Sequence, residues 1–153
     1  MFNSGGGKST FVTSLSMRNY GAHVSGKVFM NGKEMKGHMK KLIGFVPQED
    51  IMLSYLTVFE TILFSGFYRS FKFIQETIQT IQDLKLDEKI GMTIGDDKKQ
   101  VLSGGQKKRV NIGIETVNSN PVLILDEPTS GLVSTLNCFT FFNILIRIPK
   151  MQK

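Results

Sequence analysis

The sequence predicts an α/β fold, and three observations predict it. Two short apolar runs, Leu42-Ile43-Gly44-Phe45-Val46 and Val122-Leu123-Ile124-Leu125, have the length of buried strands. Each runs into polar residues, Gln48 after the first and Asp126-Glu127 after the second. Between them lie segments whose apolar residues recur at helical spacing, and near the N-terminus Gly5-Gly6-Gly7 stands directly before a helical segment. In an open α/β sheet, polar residues at the C-terminal ends of strands face the ligand crevice.

Each element has its own justification. In Asn3-Ser4-Gly5-Gly6-Gly7-Lys8-Ser9-Thr10 the glycines let successive backbone N–H groups turn inward around phosphate oxygens. Lys8 would reach β- and γ-phosphates, and the Ser9 hydroxyl would ligate Mg²⁺. A helix is expected over 9–18. Lys27-Val28-Phe29-Met30 reads as a short strand closed by the hairpin signal Asn31-Gly32. The strand 42–46 ends at Pro47-Gln48-Glu49-Asp50, where Gln48 could ligate Mg²⁺ and orient an attacking water. Thr57 followed by Glu60 has the form of a capping box and opens a helix. A further helix is expected over 71–86, with Ile74, Ile78, Ile81 and Leu84 on one stripe facing core or partner. Residues 87–100 read as a loop.

Ser103-Gly104-Gly105-Gln106 repeats the capping-box form. Its glycines are poor helix formers, but they leave N–H groups bare at the positive end of the helix dipole, open to an anion. Val110, Ile112, Ile114 and Val117 carry this helix to about Asn118, and Asn120-Pro121 ends it. Adjacent carboxylates at the tip of a buried strand are costly unless a cation or substrate needs them. Asp126 is therefore placed to hold Mg²⁺, and Glu127 to polarise an attacking water as general base. A turn over 129–132 and a last helix over 134–148 follow.

Composition narrows the reading. A chain of 153 residues is one domain at most. The net charge of +6 suits a polyanionic partner, but the lysines are scattered and do not select one. The single cysteine, Cys138, excludes an internal disulfide. His23 and His38 have no Cys or carboxylate at ligand spacing and read as surface loop residues. No signal peptide is visible. The apolar stretch 132–148 is interrupted by Asn137, Thr140 and Asn143 and falls short of the ~20 residues of a membrane span, so it reads as a buried helix.

Together these segments resemble the nucleotide-binding domain of an ABC transporter. Residues 4–10 look like Walker A, Val46-Pro47-Gln48 like the Q-loop, 102–106 like the signature and 123–128 like Walker B. Residues 56–66 and 107–115 look like the G subfamily, the white and pleiotropic-drug-resistance type. The resemblance implies a P-loop NTPase (ABC ATPase) core with a helical signature subdomain at about 51–118, the remainder being a partial RecA-like core. It implies ATP and Mg²⁺ as cofactors, with Asn3 to Thr10 holding one nucleotide. Ser103, Gly104, Gly105 and Gln106 would close on the nucleotide of a second, head-to-tail domain. A transmembrane domain would be the other partner, with the chain at the cytoplasmic face of a membrane, driving export of lipid-like or xenobiotic substrates. No nucleic acid is expected.

The sequence departs from that pattern. Phe2 stands at the first Walker A glycine, Val133 where the D-loop has Asp, and no histidine follows Glu127. The adenine-stacking aromatic upstream is absent. In the family's sheet the Walker A strand and the strand before the switch histidine lie at the centre. Both are expected to be missing here, so the strands bearing Gln48 and Asp126 would lack their main neighbours and the sheet would be incomplete. The chain thus reads as a domain truncated at both ends, from a larger transporter gene or a decayed copy, with marginal stability. Two rivals follow: a non-catalytic nucleotide-binding or interaction fragment, and a soluble ABC ATPase acting on nucleic acid.

Overall fold

A computed structural model describes residues 7–18, 23–67, 73–95 and 101–127. Asn3, Ser4, Gly5 and Gly6, the turn at 129–132 and the helix expected over 134–148 lie outside the described residues.

Two strands form the centre of the described structure. β3 (Ile43–Val46) pairs in parallel with β4 (Val122–Leu125), Ile43 opposite Val122 and Val46 opposite Leu125. Among the described residues this sheet holds these two strands alone, each the other's neighbour, as an incomplete sheet would have it. Every residue of β3 is buried, which fits an apolar run covered on both faces. A parallel pair needs a long crossover, and three helices supply it: α2 (Val58–Gly66), α3 (Phe73–Asp83) and α4 (Gly104–Thr116). α4 packs on β3 and on α2, and α2 packs on α3. A separate hairpin joins β1 (Phe29–Met30) to β2 (Lys33–Glu34). Its turn residues Asn31 and Gly32 have φ of 50° and 75°, as an Asn-Gly hairpin turn requires.

The core forms where α2, α3 and α4 meet, from Val58, Ile62, Ile81, Leu84, Val110 and Ile112, and continues to Val46. α4 approaches closely because position 113 has no side chain. A Cβ on Gly113 would lie 2.9 Å from both Ile62 Cδ1 and Leu84 Cδ1.

Three expectations change. α3 is shorter than 71–86 and is turned: Thr77, Thr80, Ile81 and Leu84 are buried, whereas Ile74 and Ile78 are exposed. The threonines take core positions because their hydroxyls donate to the helix's own carbonyls, Thr77 to Phe73 O and Thr80 to Glu76 O, each at 2.7 Å. Residues 87–100 are not simply a loop. Asp87–Lys89 makes a 3₁₀ turn, and the segment after it bonds to the start of α2 through Val58 N–H to Met92 O and Ile94 N–H to Leu56 O, both 2.9 Å. Residues 96–100 lie outside the described set. His38 is exposed, as expected, but sits in a 3₁₀ helix (Gly37–Leu42) that leads into β3.

α1 (Lys8–Leu15) also ends earlier than expected. Met17 adopts φ 57°, Arg18 N–H reaches Thr13 O at 3.2 Å and Met17 N–H reaches Ser14 O at 3.0 Å. That pair of bonds closes the helix as a Schellman motif. The turn brings the Arg18 guanidinium 3.6 Å from Glu115 Oε1 and 5.7 Å from the centre of the Phe45 ring.

Candidate functional site

The site is built at the ends of β3 and β4. Asp126 N–H donates to Val46 O at 2.9 Å, which extends the parallel ladder one step beyond the strands. Asp126 is buried there, while the next residue, Glu127, is exposed with φ 45°. Gln48 leaves the end of β3 on the adjoining strand, and its Nε2 donates to Glu127 Oε2 at 3.2 Å. Lys8 Nζ lies 3.8 Å from the other oxygen, Glu127 Oε1. Three expected site residues, far apart in sequence, thus meet at one carboxylate, with Asp126 beside it.

Both partners of the Lys8–Glu127 pair are more than two-fifths exposed. An ion pair of that kind contributes about 0–1 kcal/mol, so the contact is easily exchanged for another ligand.

α1 begins beside this carboxylate. Its N-cap is Gly7 at φ 73°, with no side chain capping the helix and no acidic residue in the first turn. The first N–H groups of a helix have no acceptor within it. At Lys8, Ser9 and Thr10 these donors stand in an exposed segment at the positive end of the helix dipole. This start suits an anion, and the Lys8 ammonium adds charge of the matching sign.

Ser103 to Gln106 form the second group, at the start of α4. The capping box is present in full. Ser103 Oγ accepts from Gln106 N–H at 3.3 Å, and Gln106 Oε1 accepts from Ser103 N–H at 2.8 Å. Gly104 and Gly105 are the first two helical residues. The box fixes the start of the helix and leaves Gly104 open, since a Cβ there would meet nothing within 4 Å.

Two basic residues that the sequence reading passed over join these groups. Lys108 is 2% exposed. Its Nζ donates to Pro47 O at 2.8 Å and Gln48 O at 2.9 Å, and lies 3.8 Å from Asp50 Oδ1. Arg109 donates through Nη1 to Leu84 O and Lys85 O, both at 3.1 Å, and so caps the C-terminal end of α3. Burial pushes the Arg109 guanidinium below its ordinary value. Lys108 lies one turn before Ile112, on the face that α4 buries.

Parallel strands joined by a helical crossover, with polar residues at their shared C-terminal ends, define an α/β domain of the ligand-crevice type. A family model described as ABC transporter matches residues 3–130. The chain belongs to the ABC transporter family, whose ATPase domain has the P-loop NTPase fold. Within it, the chain is 43% identical to "ABC transporter G family member 25" of Oryza sativa subsp. japonica, over 86% of this chain and 14% of that protein. It is 41% identical to "ABC transporter G family member 28" of Arabidopsis thaliana, over 86% of this chain and 12% of that protein. It is 38% identical to "Probable ATP-dependent permease" of Saccharomyces cerevisiae, over 97% of this chain and 15% of that protein. The chain therefore spans a small part of the length of the curated relatives it matches. No helix among the described residues is long and apolar enough to cross a membrane.

Proposed function

We propose that this chain binds Mg-ATP at the junction of α1, β3 and β4 and hydrolyses it as half of a head-to-tail pair. The observation that carries this reading is the convergence of Lys8 and Gln48 on Glu127 beside an uncapped helix start. Asn3, Ser4, Gly5, Gly6, Gly7 and Thr10 surround the phosphates with backbone donors, and Lys8 exchanges Glu127 for the β- and γ-phosphate oxygens. Ser9, Gln48 and Asp126 are the Mg²⁺ ligands. Such a set, with a single carboxylate among neutral oxygens, suits Mg²⁺, which is bound through one or two carboxylates together with substrate phosphates. ATP supplies the phosphoanhydride bond, and Mg²⁺ neutralises charge on its phosphates. Glu127 holds the attacking water with Gln48 and takes its proton.

Ser103, Gly104, Gly105 and Gln106 contact the nucleotide bound by the partner domain. Residues 51–118 act as the helical signature subdomain, and the remainder as part of a RecA-like core. The whole protein couples this domain to a transmembrane domain at the cytoplasmic face and exports lipid-like or xenobiotic substrates, by analogy with the G family.

The test is a thermal shift of the chain with Mg-ATP. A ligand that binds the folded state raises the melting temperature by an amount set by its concentration over Kd. A rise in the wild type that Lys8→Ala abolishes supports the reading, and an equal rise in both sinks it. Phe2 and Val133 favour binding without turnover. Lys8-dependent binding without phosphate release would restrict the function to that.

A further inference from the structure

We propose that Lys108 is a positioning residue that ties the Gln48 segment to the helix bearing Ser103 to Gln106. The inference rests on the reading above, in which Gln48 meets the metal.

An ammonium has three hydrogens and accepts nothing. At Lys108 two hydrogens go to consecutive backbone carbonyls, Pro47 O and Gln48 O, and the third side faces Asp50. Asp50 is itself fixed from α4, because Asn111 Nδ2 donates to its Oδ1 at 3.1 Å. One face of α4 thus grips three positions, 47, 48 and 50, through two side chains. Burying a lysine is costly unless it is paired and hydrogen-bonded, and an apolar side chain would fill this space without that cost. What the charge adds is direction. Two carbonyl bonds fix the orientation of the peptide that follows Gln48. That sets where the Gln48 side chain points, here to Glu127 at 3.2 Å.

The other end of the tie is rigid. Lys108 lies five residues after Ser103 on one continuous helix, about 7.5 Å along its axis. A shift of Gln48 toward a metal on one nucleotide therefore moves Ser103 to Gln106, the group that meets the other nucleotide. Lys108 touches neither; it acts through Gln48.

The experiment measures the affinity of the ATP-loaded chain for Mg²⁺, with metal-free ATP binding as control. Lys108→Met keeps the length of the side chain and removes its charge and donors. The expected result is Mg²⁺ affinity weakened about tenfold or more, the scale on which groups orienting metal ligands act, with metal-free ATP binding within about twofold of wild type. In a Gln48→Ala background the same substitution is expected to add nothing, since both act through one group. A purely structural lysine would lower the melting temperature and leave the Mg²⁺ affinity at its wild-type value, and that result overturns the proposal. Where Lys108→Met gives no cooperative melt, Asp50→Asn decides. Weakened Mg²⁺ affinity supports the tie, and wild-type affinity overturns it. A wild-type chain without Mg²⁺-sensitive ATP binding sinks the functional reading and this proposal together. Wild-type binding with an unmoved Lys108→Met sinks only the proposal.

Discussion

Gln48 Nε2 donates to Glu127 Oε2 at 3.2 Å, joining two residues 79 positions apart in sequence. The parallel register of β3 on β4 makes this contact, since Val46 opposite Leu125 brings the two strands to an end at the same level. Glu127 is held by that amide on one oxygen and faces Lys8 on the other. Each oxygen of the carboxylate thus has a partner brought from a distant part of the chain.

Glu127→Gln tests the role of that carboxylate. The substitution keeps the shape and removes the base. ATP binding is expected to persist while turnover falls by about 10²-fold or more, the usual scale of general-base catalysis. Single-turnover phosphate release beside a nucleotide-binding titration checks it. Equal turnover would remove Glu127 from the mechanism.

The capping box of α2 gives a pH dependence. Thr57 N–H donates to Glu60 Oε2 at 2.8 Å, and so does the Thr57 hydroxyl, also at 2.8 Å. The backbone bond first and the hydroxyl second hold the Glu60 carboxyl below its ordinary value. A carboxyl depressed in the folded state adds stability above its unfolded pKa, and that stability is lost as the pH falls through the folded value. Glu60→Gln keeps an acceptor in the box without a titrating group. Its melting temperature is expected to depend less on pH below the ordinary carboxylate range than that of the wild type.

Arg109 spans α4 and the end of α3. Arg109→Lys keeps the charge and loses the planar guanidinium, which reaches Leu84 O and Lys85 O through Nη1 and Gly105 O through Nε. The expected loss is about 1.5–3 kcal/mol, the net scale of hydrogen bonds to a charged group. A urea midpoint lowered at unchanged slope is the matching observation.

Gly113→Ala would place a methyl 2.9 Å from both Ile62 Cδ1 and Leu84 Cδ1. Overpacking of this kind costs about 1–3 kcal/mol. A thermal melt with reduced midpoint checks it, and an unchanged midpoint would mean that α2 and α3 give way without strain.

The sequence by itself determined the local features. Both capping boxes follow from spacing, since Thr57 with Glu60 and Ser103 with Gln106 need only the geometry of a first helical turn. The Asn31-Gly32 hairpin and the two central strands follow from turn chemistry and apolar runs of strand length, although β4 is only half-buried where full burial was expected. Lys8, Gln48, Asp126 and Glu127 were legible as candidates because polar residues at strand ends and glycines before a helix suit ligand chemistry. The tertiary structure alone decided what those residues touch. Which strand pairs with β3, and in which register, is a long-range relation that periodicity does not carry. The face that α3 buries was set by threonine hydroxyls satisfied on their own helix, against the isoleucine stripe. Lys108 went unseen for a related reason. A charged side chain reads as solvated until the carbonyls that bury it are in place, and Pro47 O and Gln48 O lie 61 and 60 residues away along the chain.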